Sequence, residues 1–276
     1  MSRKLLFLEL IDFIECHILN DNLIDEIAEF TGYSKRYIYT IFKHYAGMNI
    51  GEYIRRRRLT KSAILLKYTQ KNIYNISIEM NFSSQQAFCR AFKKQFKISP
   101  LQFRKVDGIE CKGLLMPLSE EKNDYSYNIV FMESIMLKTS TLKYKENVLN
   151  NYCKRSASLK LKHIMKFSTN NTYVSSVIDI SGDMRMVVNV NSFIGVESND
   201  FNYCTHAGLY AKFKFKGTWL SYIEYSRNCF LALNENVLPH PVLEKIVITC
   251  PDTNNPDCHV SMYVPISSTF IGDIIR

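Results

Sequence analysis

The residues best suited to chemistry in this 276-residue sequence are polar side chains that can contact DNA bases. They form two groups, each at helical spacing shortly after a serine that can cap a helix. The groups are Arg36, Tyr39 and Thr40, then Gln85, Gln86 and Arg90. Glutamine can pair with adenine through two hydrogen bonds, and arginine pairs with guanine in the same way. The two groups therefore predict two helices that read base edges.

Lysines accompany both groups. Four of them lie near the same predicted helix faces: Lys35, Lys43, Lys93 and Lys94. Lysine contacts to phosphate position a protein on DNA without specifying its sequence. We expect phosphate contacts from these four side chains, with a solvated helix face as the alternative.

The two groups belong to an internal repeat of 50 residues. Ser34 corresponds to Ser84, and Phe42-Lys43 corresponds to Phe92-Lys93. A repeat of this kind is one supersecondary unit used twice, here a helix, a tight turn and a second helix. Glycine reaches a positive φ without steric cost, which favours Gly32 in the first turn, and Asn81 is the next most tolerant residue type for the second.

Apolar residues at three- and four-residue steps predict helices over the first 105 residues. The longest predicted helix runs from Ile50 to Tyr68 and carries four consecutive arginines, Arg55 to Arg58. These arginines can contact phosphate or form a solvated face. Two recognition helices held about 34 Å apart enter successive major grooves, so a monomer can read an asymmetric site.

The net charge of +9 is concentrated in this helical part of the chain. Residues 1–107 contain 18 Lys and Arg against 10 Asp and Glu, whereas residues 108–276 contain 17 against 16. A basic module joined to a nearly neutral one favours nucleic-acid binding by the first module.

Composition gives no sign of a cofactor or a metal. The eight cysteines contain no Cys-x-x-Cys pair, which favours free thiols over a zinc site. Glu9 and Asp12 interrupt the apolar start of the chain at helical spacing, so a signal peptide or membrane span is not expected. Together with DNA binding, this predicts a cytoplasmic, nucleoid-associated protein with reduced thiols.

The pattern changes after Asp107. Residues 108–124 have the glycine, proline and polar content of a linker, and residues 125–276 then show strands and helices. We predict one strand face containing Ile129, Phe131, Ile135 and Leu137, a helix at 145–167 and a half-buried strand at 209–216. The predicted fold is two-domain: an all-α tandem helix-turn-helix domain (1–107), then an α+β domain (125–276) of two strand-helix-strand-strand halves.

The second domain has no catalytic constellation in its sequence, since its histidines accompany no nucleophile motif. Five residues could line a pocket for a small ligand: Phe213, Trp219, Tyr222, Ser261 and Tyr263. Apolar pockets with a few polar groups are the usual small-molecule sites. The alternative is that the aromatic members form the hydrophobic core.

Residues 1–105 resemble the AraC/XylS family of bacterial transcription regulators, specifically its MarA/SoxS/Rob branch. The resemblance lies in Gly32-Tyr33-Ser34-Lys35, Tyr53-Ile54-Arg55, Phe82-x-Ser84-Gln85-Gln86 and Arg90-x-Phe92-Lys93. It implies an activator that acts as a monomer on double-stranded promoter DNA with RNA polymerase. The branch usually has Trp, Gln and Arg where this sequence has Arg36, Tyr39 and Thr40, which implies an altered preference in one half-site.

Residues 125–266 resemble, more loosely, the gyrase-inhibitor-like effector-binding domain. The similarity lies in Tyr210–Gly217, Glu244–Ile248 and Tyr263–Ile266. Such domains often have a glutamate where Ser261 stands, so we expect neutral or anionic amphipathic ligands rather than cations. Lys212, Lys214 or Lys216 could then contact an acidic group.

Two other functions remain open. The second domain could be a small-molecule hydrolase or a protein-interaction module that the first domain only targets to DNA. The whole chain could also be an architectural DNA-binding protein whose second domain only stabilises it.

Overall fold

The computed structural model describes residues 2–119, 124–147, 154–167, 171–179, 187–249, 253 and 255–267. The chain divides into two compact units. The helical unit contains Met1–Leu66, Lys71–Lys105 and Gly113–Asn123. The sheet unit contains Lys67–Gln70, Val106–Lys112 and Asp124–Arg276.

The helical part of the chain contains two helix-turn-helix pairs, α2–α3 and α5–α6. Its helices are α1 (Arg3–His17), α2 (Leu23–Thr31), α3 (Lys35–Ala46), α4 (Ile50–Tyr68), α5 (Ile73–Glu79), α6 (Gln85–Phe96) and α7 (Pro100–Lys105). The predicted long helix from Ile50 to Tyr68 is confirmed. So is the predicted repeat, because α3 and α6 each have 12 residues and begin 50 residues apart.

The two turns adopt the backbone conformation that their residue types favour. Gly32 has φ +70° and ends α2, while Asn81 has φ +54° and follows α5. Ser34 accepts a hydrogen bond from the Tyr37 N–H at 3.3 Å, and Ser84 accepts one from the Ala87 N–H at 3.1 Å. These side chains satisfy N–H groups that the first turn of a helix leaves unpaired.

Each repeat has its own apolar core. In the first, residues from α1 to α4 pack together, and Leu10, Ile14, Ile27 and Phe42 are fully buried. In the second, aromatic rings pack in succession, with 4.4 Å between the ring centroids of Phe92 and Phe96. The apolar spacing that predicted the helices thus also determines which face of each helix is buried.

The segment predicted as a linker has ordered contacts in its described part. Residues 109–110 form a short strand, β1 (Ile109–Glu110), paired with β8 (Asn236–Val237) in the sheet unit. Residues 113–119 belong to the helical unit, where Leu115 and Leu118 pack against the first core. The Leu115 N–H donates to Thr60 Oγ1, and the Leu118 N–H donates to the Tyr53 hydroxyl. Residues 120–123 of the predicted linker lie outside the described residues.

The sheet unit contains an eight-stranded antiparallel sheet in the order β2-β7-β10-β9-β4-β5-β3-β6. Its strands are β2 (Tyr127–Met132), β3 (Met136–Asn147), β4 (Thr172–Asp179), β5 (Val187–Glu197), β6 (Tyr203–Cys204), β7 (Gly208–Thr218), β9 (Val242–Ile248) and β10 (Asp257–Pro265). Helices α8 (Lys154–Ile164) and α9 (Trp219–Asn228) pack on one face. The order strand, helix, strand, strand occurs twice, as β3-α8-β4-β5 and as β7-α9-β9-β10, and β4 pairs with β9 where the two sets meet.

Two details of the predicted α+β domain are wrong. Ile129 and Phe131 do not share a strand face with Leu137, because residues 133–135 separate β2 from β3. Ile129 and Phe131 are 51% and 68% exposed, whereas Leu137 is buried. The predicted helix at 145–167 also starts too early, since residues up to Asn147 pair with β5. The polar residues 143–147 could form either a helix or a strand, and pairing with β5 makes them a strand.

The core beneath α8 and α9 contains a buried ionic network. Lys160 Nζ lies 2.6 Å from Glu244 Oε2, and the Tyr222 hydroxyl donates to Glu244 Oε1. Burial acts to lower the pKa of Lys160, but the Glu244 carboxylate beside it holds that pKa above its ordinary value. Burial and the same carboxylate raise the pKa of Tyr222 well above its usual range. Pairing makes these charges tolerable in an apolar interior.

Candidate nucleic-acid interface

Helix α3 presents a polar face opposite its buried one. Ile38, Ile41 and Phe42 pack inward. Arg36, Tyr39 and Thr40, the three predicted base-contacting residues, are all exposed. Thr40 donates its hydroxyl to the Arg36 carbonyl at 2.9 Å, so its free side is mainly a methyl group and a hydroxyl acceptor.

Helix α6 repeats this arrangement. Phe88, Phe92 and Phe96 are buried, and Gln85, Gln86 and Arg90 are exposed. The last three follow the Ser84 cap, so they lie in the first half of the helix. In helix-turn-helix proteins this N-terminal part of the recognition helix contacts bases.

The four predicted phosphate-contacting lysines are also exposed, in both helices. Lys43 lies in the last turn of α3, and Lys93 and Lys94 lie in the last turn of α6. Lys35 differs because its ammonium pairs with the Asp25 carboxylate, and this hydrogen bond raises the pKa of Lys35. A phosphate contact by Lys35 therefore competes with an existing partner.

Half of the arginine run has an internal role. Arg57 is buried and makes two hydrogen bonds to the Glu15 carboxylate, at 2.7 and 2.8 Å. Arg58 donates to the carbonyls of Ile18 and Asn20, both at 2.8 Å. Arg55 is exposed. The run therefore braces α4 against the α1 region through two of its four members.

The five predicted pocket residues do not meet in one pocket. Phe213, Trp219 and Tyr222 are fully buried on the sheet face that α8 and α9 cover. The Trp219 indole N–H donates to the Ala157 carbonyl of α8 at 3.0 Å. These three side chains belong to the packed core of the sheet unit. Ser261 and Tyr263 lie on the opposite face, because successive strand residues alternate between faces.

That opposite face has an open groove of about 460 Å³ between β7, β9 and β10. Its lining residues are Lys212, Lys214, Phe215, Lys216, Lys245, Val247, His259, Val260, Ser261 and Tyr263. Lys245 and His259 line this groove although neither was predicted from the sequence. The sequence contains the alternation within each strand, but the register between β9 and β10 comes only from the folded sheet.

Within the described part of the chain, no three His, Cys, Asp or Glu side chains are grouped as a metal site requires. None of the helices there has the length and apolar character needed to span a bilayer.

The helical unit, with two capped helices that each expose a polar face, defines a tandem helix-turn-helix DNA-binding domain. Comparison with known proteins agrees. Residues 27–106 match the family model described as "Helix-turn-helix domain". Regulatory protein SoxS of Salmonella typhimurium is 36% identical over 104 residues, which are 38% of this chain and 97% of SoxS.

Two further relatives extend this similarity. Transcriptional regulator Rob of Salmonella typhimurium is 40% identical over 110 residues, covering 40% of this chain and 38% of Rob. The F1 operon positive regulatory protein of Yersinia pestis is 28% identical, covering 96% of this chain and 89% of its own length. The chain belongs to the AraC/XylS family of transcription regulators, in the branch that contains SoxS and Rob.

Proposed function

We propose that this protein activates transcription by binding double-stranded promoter DNA as a monomer and engaging RNA polymerase. Helices α3 and α6 enter successive major grooves, and the protein acts in the cytoplasm on the nucleoid. One observation supports the DNA-binding part: two helices of equal length, each capped by a serine, expose polar side chains suited to base contacts, with Arg36 and Thr40 standing 50 residues before Gln86 and Arg90. Activation is supported by the F1 operon positive regulatory protein, whose name describes a positive regulator.

In this proposal the two helices read DNA differently. Gln85, Gln86 and Arg90 of α6 supply amide and guanidinium groups that pair with adenine and guanine through two hydrogen bonds. In α3, Arg36 is the one such residue, since Tyr39 and Thr40 offer a ring and a methyl group suited to thymine contacts. We infer that the half-site under α3 is read with fewer bidentate contacts.

The sheet unit serves as a sensor for a small amphipathic ligand, as in the gyrase-inhibitor-like domains that its sequence resembles. The groove that Ser261 and Tyr263 line supports this role. We assign no enzymatic activity to this unit, because the three relatives above are all described as regulators.

The test is selection of the preferred DNA sequence from a random pool, followed by titration of variants on the selected site. Gln86→Ala and Arg90→Ala should each weaken binding by about 1–3 kcal/mol and relax base preference in one half-site only. Lys93→Ala should weaken all sequences alike and reduce the magnitude of the log–log salt slope by about 0.9, the value for one phosphate contact.

Lys143→Ala provides the control, because Lys143 is an exposed lysine in the sheet unit and should leave DNA affinity unchanged. Uniform loss of affinity in all three α6 variants across a randomised site would show that α6 does not read bases. If no DNA sequence is enriched from the random pool, the proposal of sequence-specific DNA binding is wrong.

A further inference from the structure

The sheet face that α8 and α9 leave uncovered contains a concentration of positive charge. Lys212, Lys214 and Lys216 alternate along β7 with residues that face the helices, so all three share the uncovered face. In the sheet register, Ser261 of β10 lies directly between Lys214 of β7 and Lys245 of β9. Directly opposed residues on one face have Cβ atoms about 4.5–5.5 Å apart. The Ser261 hydroxyl is thus flanked by an ammonium-bearing chain on each side.

Within the described residues, these four lysines make no ion pair. Several other charged side chains of the sheet unit are paired, such as Lys138 with Asp200 and Arg227 with Glu146. Among the described residues, no carboxylate forms an ion pair with Lys212, Lys214, Lys216 or Lys245. Like charges that are close together on one sheet face destabilise a fold. A bound anion would remove that cost.

Aromatic rings lie beside the same lysines. Lys212 Nζ lies 5.3 Å from the centroid of the Tyr263 ring, and Lys245 Nζ lies 5.5 Å from that of Tyr173. Cation–π attraction of this kind holds each ammonium over a ring. Tyr263 lines the groove and also joins a buried cluster with Tyr173, Tyr210 and Leu243. Tyr263 and Phe215 therefore give the groove an aromatic surface next to positive charge.

We propose that this groove binds an organic anion with a flat apolar body. Its acidic group lies between Lys214, Lys245 and the Ser261 hydroxyl, and its body rests against Tyr263. The inference rests on the proposed sensing role of the sheet unit and specifies the ligand class for it. A small anion fits better than a DNA backbone, because a duplex presents phosphates but no flat apolar surface to the tyrosine wall.

The proposal predicts opposite effects of charge removal with and without ligand. Lys214→Gln should raise the melting temperature of the unliganded chain, since it relieves repulsion between like charges. Lys245→Gln also loses the contact with the Tyr173 ring, so it tests anion binding only. The same substitutions should weaken anion binding, since each removes a partner of the acidic group. A lysine with a purely structural role would not show both effects.

The experiment uses the full chain at low ionic strength and three probes that share one ring system: 2-naphthoate, 2-naphthamide and 2-naphthylmethylammonium. Calorimetric titration should show 2-naphthoate binding at least tenfold more tightly than the amide or the ammonium. Lys214→Gln and Lys245→Gln should each weaken it by about tenfold or more. Lys143→Gln is the matched control, because Lys143 is exposed on the same sheet face but lies on β3, outside the groove, and should change affinity less than twofold.

Three outcomes would overturn the proposal. The ammonium could bind as tightly as the carboxylate, the carboxylate affinity could be unaffected by both groove variants, or 2-naphthoate could fail to bind at millimolar concentration. If the full chain does not bind 2-naphthoate and Lys214→Gln instead lowers its affinity for a DNA oligonucleotide, the lysine-rich face binds nucleic acid. Each of these results leaves DNA selection by α3 and α6 intact, so failure here is distinguishable from failure of the proposed regulator.

Discussion

At the scale of single residues, the buried pair of Glu15 and Arg57 connects stability to pH. Burial alone would raise the pKa of the Glu15 carboxyl, but the two hydrogen bonds from Arg57 hold it below its ordinary value of 4.5. A carboxyl with a lowered pKa in the folded state stabilises the fold above its unfolded pKa, and this contribution is lost as the pH falls through the folded value. The helical unit should therefore lose stability below about pH 4.5.

The corresponding test is urea denaturation of the wild type and of Glu15→Gln from pH 7 to pH 3. Glu15→Gln leaves a buried arginine without its charge partner, so at pH 7 we expect a loss of about 3–5 kcal/mol. Its stability should then fall less steeply in acid than that of the wild type. Glu29→Gln removes an exposed carboxylate and should behave like the wild type. Parallel pH profiles for wild type and Glu15→Gln would contradict this account.

A second residue-scale prediction concerns Lys160 and Glu244. Lys160→Met should cost about 3–5 kcal/mol, because it leaves a buried carboxylate with the Tyr222 hydroxyl but no cation. The double variant Lys160→Met/Glu244→Leu should recover most of that loss, since it removes both buried charges. Denaturant titration of the two single variants and the double variant measures this coupling. Additive losses in the double variant would show that the ion pair is not the interaction that matters.

At the scale of elements, the 50-residue repeat extends to the ends of the recognition helices. Gly47 caps the C-terminus of α3 with φ +71°, and Lys97 caps that of α6 with φ +66°. A left-handed backbone conformation costs a non-glycine residue roughly 1–2 kcal/mol. Glycine avoids this cost but loses more conformational entropy on folding, which reduces the net gain in stability. We expect Lys97→Gly to stabilise the protein by about 0.5–1 kcal/mol.

The matched experiment is Gly47→Ala, which should destabilise the protein by about 1 kcal/mol. Nothing lies within 4 Å of a Cβ built on Gly47, so its cost would come from backbone conformation rather than from a clash. Thermal melts of both variants test the pair. Equal and small effects of either substitution would mean that these helix ends relax to another conformation.

At the scale of the whole molecule, the stability of the helical unit depends on residues 113–119, which follow its last helix. Removing residues after 107 would delete Leu115 and Leu118 from the first core, and it would leave Arg57 and Thr60 without the Leu115 backbone groups that they contact. Unsatisfied buried polar groups cost about 1–3 kcal/mol each. We predict that a fragment of residues 1–119 is more stable than one of residues 1–107 by about 2–4 kcal/mol.

Circular dichroism melts of the two fragments, with DNA titration on the selected site, measure this difference. Both fragments retain α3 and α6, so both should bind the site when folded, with affinity that falls as salt rises. Equal melting temperatures would mean that residues 113–119 contribute no stability. DNA binding lost in the longer fragment would indicate that the sheet unit is required for recognition.

The sequence by itself determined the helices and turns of the helical unit, because the forces that shape them are local. Three- and four-residue apolar spacing fixed the helices, Ser34 and Ser84 fixed their starts, and Gly32 and Asn81 suited the turns. Side chains outside the apolar stripe of such a helix must face solvent, so exposure of the predicted DNA-contacting residues followed from the same pattern.

Only the tertiary structure decided the chemistry of the sheet unit. Its strand pairs join residues far apart in sequence, and the register that places Lys214 and Lys245 on either side of Ser261 depends on three strands at once. Period-two alternation shows which residues of one strand share a sheet face. It does not show whether Phe213 of β7 and Ser261 of β10 lie on the same face, because that depends on the register between the strands. For that reason a pocket assembled from the sequence combined residues from opposite faces of the sheet. The same long-range packing decided that Arg57 is buried against Glu15, although its neighbour Arg55 is exposed.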